Sequence, residues 1–251
     1  MKIRIIPTIL TDGQTVVKGA QFNNWRTVGT VQATAQLFGR RDVDELMFLD
    51  VKASDRKSPI PDSLISSFTE MLNIPFSIGG GIASLEAASI YLNAGAEKVV
   101  LGRAALDTPT LISSIAAKFG SQAVVVAIDV LDFEKNIIAT NCGAVSISKS
   151  VKAWAQEIEN LGAGEILLQS VVRDGKMEGM DFKAINEVSS CINLPLIASS
   201  GVGSIEDCVQ AVQCGASAVA IGAMFQFTEI TPRQVRNYLR EQGIEVRISE
   251  F

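Results

Sequence analysis

ELMFLDVKAS at 45–54 and EILLQSVVRD at 165–174 stand 120 residues apart, and their similarity continues downstream at the same offset. GIASLEA (81–87) falls on GVGSIED (201–207), and AGAEKVVLG (94–102) falls on CGASAVAIG (214–222). One constant offset held without a gap over about sixty residues is the mark of an internal repeat. Each matched block carries an apolar run that ends at a glycine or a polar residue, so the repeated unit reads as a buried strand followed by a turn.

Outward from these blocks, apolar strand candidates recur at 3–10, 45–50, 75–79, 97–101, 123–129, 165–169, 195–199 and 217–221. Helical patterns lie between them at 30–39, 62–72, 84–94, 108–119, 149–161, 182–190, 204–214 and 231–241. Eight strands alternating with eight helices predict an α/β fold of the (β/α)8 barrel type, one domain over 1–251 built from two similar half-barrels. A doubly wound sheet has the same alternation, but its edge and central strands need different patterns, and the repeat gives both halves the same one.

With 251 residues and 47% hydrophobic content, the chain has enough apolar material for one large core. A formal charge of −5 offers no basic footprint for nucleic acid, and no apolar run reaches the roughly 20 residues of a membrane span. The start, MKIRIIPTIL, lacks the layout of a signal peptide, and the four cysteines show no CxxC spacing, so a cytoplasmic location with reduced thiols is expected. The chain contains no histidine. Ser-His and Cys-His nucleophiles and histidine-held zinc are excluded, leaving carboxylates, lysine, hydroxyls and backbone donors; no metal and no cofactor are expected.

Glycines cluster at the strand ends. FSIGGGIASLE (76–86) and ASSGVGSIED (198–207) each lead from a strand into a helix, and LGRAAL (101–106) and IGAMF (221–225) add Gly102 and Gly222 after the next strands. Glycine lets a backbone approach a ligand, and the N–H groups of a following helix favour phosphate. Paired in both halves, these loops suggest two phosphate-type sites across one barrel mouth, involving Gly80, Gly81, Ser200, Gly201 and Gly222.

These residues resemble a known family, the cyclase subunit of imidazole glycerol phosphate synthase. The similarity covers essentially the whole chain; its most specific pieces are VVKG (16–19), ELMFLD (45–50), IPFSIGGGI (74–82), FGSQAVVVAID (119–129), GAGEILLQS (162–170), RDG (173–175) and LPLIASSGVG (194–203). The resemblance implies an imidazole-forming activity of histidine biosynthesis and a glutaminase partner subunit that supplies ammonia at the N-terminal face of the barrel. It implies a catalytic aspartate at Asp129 and a second at the end of the first strand, where this chain has Leu10. Asp12, two residues on in a TDG turn, is the one nearby acid. The resemblance further implies substrate or phosphate contacts at Lys18, Asp50, Ser170 and Asp174. Arg103, which with Gly102 replaces a family Asn–Thr pair, is read either as a phosphate contact or as a solvated loop residue. Ala223 stands where the family has a serine. A charged ring at the ammonia entrance matches Arg4, Glu45, Lys98 and Glu165.

Loss of one member of an acid–base pair predicts slow cyclisation or none. The preferred reading is a divergent synthase subunit: its PTIL-type first strand (7–10) resembles that of paralogues associated with sugar amidation, and this resemblance implies delivery of ammonia to a phosphate-bearing or sugar acceptor, in surface-polysaccharide sugar amidation. The alternatives are an authentic cyclase subunit and a non-catalytic activator of the glutaminase.

Overall fold

A computed structural model describes residues 2–41, 43–56 and 62–247. The strands, in chain order, are β1 (Arg4–Thr11), β2 (Thr15–Ala20), β3 (Asn23–Thr30), β4 (Leu46–Asp50), β5 (Phe76–Gly79), β6 (Lys98–Leu101), β7 (Val124–Asp132), β8 (Ile137–Thr140), β9 (Val145–Ser148), β10 (Glu165–Ser170), β11 (Leu196–Ser199) and β12 (Ala218–Ile221). The helices are α1 (Val31–Gly39), α2 (Ala53–Arg56), α3 (Asp62–Met71), α4 (Leu85–Asn93), α5 (Arg103–Asp107), α6 (Thr110–Phe119), α7 (Val151–Asn160), α8 (Phe182–Ser189), α9 (Ile205–Gln213), α10 (Ala223–Phe227) and α11 (Pro232–Glu241).

Eight of the strands, β1, β4, β5, β6, β7, β10, β11 and β12, are parallel neighbours, and the β7–β10 and β12–β1 pairings close them into a (β/α)8 barrel. The apolar runs are continuous because both faces of such a strand are buried. In LMFLD, Met47 and Leu49 face the barrel interior while Leu46 and Phe48 face the helices, where Phe48 stacks on Phe68 at 4.3 Å between ring centroids.

The repeat survives in three dimensions. β5 and β11, β6 and β12, and α5 and α10 start 120 residues apart, as do the helix N-caps Ser84 and Ser204, whose side chains accept from Ala87 N and Asp207 N. Each half also inserts a hairpin after its first strand, β2–β3 and β8–β9, that the apolar periodicity does not announce. The barrel is fastened at its strand-start end by Asp44, which accepts from Ile5 N at 2.9 Å and pairs with Arg236 of α11 at 3.3 Å, both side chains almost fully buried. No helix among the described residues is long and apolar enough to cross a membrane.

Candidate functional site

Inside a parallel barrel, alternate residues of each strand stack in layers along the axis. Ile6, Met47, Val100, Val125, Leu167, Ile197, Ala218 and Ala220 make an apolar interior, with Leu49 and Ala127 above them. At the strand ends this interior opens into a cavity of about 760 Å³. Along β1 the inward series is Ile6, Thr8, Leu10, and along β7 it is Val125, Ala127, Asp129. Leu10 and Asp129 therefore hold matching places in the two halves, and one is an acid while the other is not.

The cavity brings together Asp129, Lys18, Asp50, Gly80, Gly81, Arg103, Asp174, Ser200, Gly201 and Gly222, all named from the sequence. Burial, with some help from the nearby negative charge of Asp174, raises the Asp129 carboxyl to about 7. Burial likewise pulls the Lys18 ammonium down to about 8, against the attraction of Asp174. Asp174 itself is raised by burial, opposed by a hydrogen bond from Phe22 N and by Lys18. Two groups that titrate near neutrality thus share one cavity, a setting suited to proton transfer.

Lys18 lies on β2 and reaches back over β1, donating to Thr8 O at 3.3 Å. The β2–β3 hairpin is held over the mouth by Gln21 N, which donates to Asp174 O at 2.9 Å, and by Arg26, which sits 5.0 Å from the Phe227 ring centroid. Its Phe22 and Trp25 line the cavity, two apolar contacts that periodicity did not point to.

Several residues occupy other surroundings than expected. Ser170 is not on the cavity wall: strand alternation turns Gln169 inward and Ser170 outward, against Asp181 and Ile185 of the α8 region. Asp12 is not on the wall either. Its carboxylate accepts from Gln14 N at 3.0 Å, Thr15 N at 2.8 Å and Thr15 Oγ1 at 3.1 Å, bonds that fix a tight turn and hold its pKa low. It does not stand in for Leu10. Asp50 is fully buried and bound to Arg56 at 2.5 Å, and Arg56 also donates to Asp12 O, so this acid is committed to tying α2 to the end of β1. Its backbone matters as much: an added Cβ at Gly80, at φ +112, would stand 2.4 Å from Asp50 O. Arg103 is half-exposed and clamps the β8–β9 hairpin, with Nη1 donating to Asn141 Oδ1 at 2.9 Å and Nε to Asp107 at 2.8 Å.

At the start of α9, Gly203 N and Ser204 N both donate to Asp207, at 2.9 and 3.0 Å, so two of the amides suited to an anion are already taken. Ser200 is a strained position. It has φ +74, and its buried Oγ has no hydrogen-bond partner among the described residues. Such a backbone costs a non-glycine residue about 1–3 kcal/mol. Ser200→Gly is expected to stabilise the fold by about 1 kcal/mol after allowing for the extra freedom of the unfolded glycine; urea denaturation that shows no gain would remove the strain argument.

At the opposite end of the axis the four charged residues form a closed ring. Arg4 pairs with Glu45 at 2.9 Å and Glu165 at 3.1 Å, and Lys98 pairs with the same two acids at 2.7 and 3.1 Å. The two positive and two negative groups balance. Burial alone would lower Arg4, but Glu165 and Glu45 outweigh it and hold the guanidinium above its ordinary value. Among the described residues no group of three or more His, Cys, Asp or Glu side chains could hold a metal ion.

The model of the family described as "Histidine biosynthesis protein" matches residues 4–231. Imidazole glycerol phosphate synthase subunit HisF of Prosthecochloris aestuarii is 42% identical over 250 residues, covering 98% of each chain. The subunits of the same name from Dictyoglomus thermophilum and Thermotoga sp. (strain RQ2) are 40% and 39% identical, over 98% of this chain and 98% and 97% of their own.

Proposed function

Because the chain belongs to the HisF family of imidazole glycerol phosphate synthase subunits, we propose that it is the cyclase-type synthase subunit of such an enzyme, joining ammonia to a phosphate-bearing acceptor at the strand-end mouth. The single observation that carries this reading is the pairing of Asp129, raised to about 7, with a deep cavity at the glycine-rich strand ends. Sugar amidation, expected from the first strand, is withdrawn: the relatives named above are synthase subunits, and their names point to an imidazole product.

Ammonia enters, on this reading, through the ring of Arg4, Glu45, Lys98 and Glu165, supplied by a glutaminase subunit docked at the strand-start face. The interior between ring and cavity is apolar, lined by Ile6, Val100, Val125, Leu167 and the small Ala218 and Ala220. Such a passage favours neutral ammonia, because a charged ammonium would lose its hydration there. In the mouth, Asp129 in its ionised form takes a proton from the attacking nitrogen. The amides around Gly80, Gly81, Ser200, Gly201 and Gly222 would orient the acceptor's phosphate ends. The family's strand 1 carboxylate is missing at Leu10, and this limits the rate without removing the mouth.

The partner is tested by mixing the chain with a HisF-type synthase's glutaminase. A complex that co-purifies, with faster glutamine hydrolysis than the glutaminase gives alone, is the expected result. Absence of both at micromolar concentrations would leave the strand-start face without a partner and overturn the amidotransferase part of the reading.

A further inference from the structure

Leu10 leaves one side of the mouth without an acid, yet the space beside it holds a buried cation. Lys18 comes from β2, the strand that follows the end of β1 and turns back along it through the Thr11–Val16 pairing. Its side chain is almost fully buried, and its ammonium rests on Thr8 O, one inward position below Leu10 on the same strand. Gly222, at the end of β12 on the other side of β1, makes the room: a Cβ there would stand 2.7 Å from Lys18 Nζ. The ammonium thus has a built seat at the end of β1, on the wall of the cavity that also holds Asp129.

We propose that Lys18 supplies the second proton-transferring group of this mouth, in the place where β1 offers Leu10 instead of a carboxylate. The proposal rests on the synthase reading and deepens it. An imidazole nitrogen that originates as ammonia must form a bond to a carbonyl carbon of the acceptor with loss of water. As the nitrogen attacks, the Asp129 carboxylate accepts one of its protons and the Lys18 ammonium protonates the carbonyl oxygen, which gives a carbinolamine. Asp129, now protonated, then gives its proton to the departing hydroxyl, water leaves, and the Lys18 amine takes the second proton from nitrogen. The products are a C=N bond and one water, and both side chains return to their starting states.

Proton transfer of this kind works best when donor and acceptor titrate near the working pH. Burial brings Lys18 to about 8 and Asp129 to about 7, so at neutral pH the lysine is largely charged and the aspartate partly ionised. Among the described residues the other charged groups on the cavity wall are Asp174, Asp50, which is paired with Arg56, and Arg103 with Asp107. Of these, Asp174 acts on Lys18 directly and opposes the effect of burial.

The experiment is ammonium-dependent turnover of the histidine-pathway nucleotide by the full chain, followed from pH 6 to pH 10. The variants are Lys18→Met, Lys18→Arg, Gly222→Ala and the double variant Lys18→Met with Leu10→Asp. Arginine keeps the charge but does not give up its proton in this range. Expected are losses in kcat of about 10²-fold for both lysine variants, with KM changed by less than about threefold. The alkaline limb near pH 8 should vanish in both. Gly222→Ala, which leaves the lysine in the chain and displaces only its ammonium, should also lower kcat. Leu10→Asp should return at least about tenfold of the activity lost in Lys18→Met, as a carboxylate re-enters the matching place. If Lys18→Arg keeps the wild-type kcat and pH profile, or Lys18→Met raises only KM, the lysine is a binding charge and the proposal is wrong. If the wild-type chain itself makes no product while folded, the synthase reading fails first, and the proposal with it.

Discussion

Asp129→Asn is expected to lower ammonium-dependent turnover by about 10²–10⁴-fold while leaving the barrel intact, because the amide has the same shape but takes up no proton. The same change separates catalysis from stability. The Asp129 carboxyl sits at about 7 in the folded chain against 3.8 for an ordinary aspartate, so the folded state holds a proton that the unfolded state releases between these values. The carboxyl's contribution to stability is therefore fully present below about pH 4 and is lost as the pH rises through about 7. The asparagine variant lacks this loss. Urea denaturation at pH 5 and pH 8 is expected to show the variant gaining on the wild type as the pH rises, and a variant that gains nothing or loses ground would mean that burial does not control this group.

The second large effect concerns the ring. Lys98→Met is expected to destabilise the chain by about 3 kcal/mol, because Glu45 and Glu165 keep their burial and lose one of the two cations that balance them. Two of their oxygens, Glu45 Oε1 and Glu165 Oε2, already lack hydrogen-bond partners among the described residues, so the ring has little in reserve. For a chain of this size that loss corresponds to roughly 10 °C in Tm. Adding Glu45→Gln to Lys98→Met restores the charge balance and should recover most of the loss. A thermal melt in which Lys98→Met is unchanged would show the ring to be open to solvent, where ion pairs are worth little.

The barrel was legible because its strands are buried on both faces and their sequences are nearly continuous apolar runs, and because the repeat set the register of one half by the other. The two hairpins were not. β3 reads NNWRTVGT and is mostly exposed, so it has no apolar alternation, and the turn at Gln21 and Phe22, both at positive φ, lacks the Asn-Gly signature of a tight hairpin. Missing the hairpin meant missing that Lys18 is carried back over β1.

Around the cavity, which residues gather was legible and which way each one faces was not. Gln169 and Ser170 are adjacent, and only the strand's parity decides that the first faces the cavity. The parity follows from Leu167 one layer below, a rule the sequence contained. The Asp50–Arg56 pair depends on how α2 folds against the strand end, and the spacing of six residues gives no hint of it. The strain at Ser200 was not readable; its positive φ is a property of the loop.

The central claim is that this mouth joins ammonia to an acceptor despite Leu10. The direct measurement is formation of imidazole glycerol phosphate from the histidine-pathway nucleotide by the purified chain alone, with ammonium salt in place of a glutaminase. The expected result is slow product formation that saturates with nucleotide and rises with the concentration of free ammonia. A folded chain that yields no imidazole product at any ammonium concentration would contradict it.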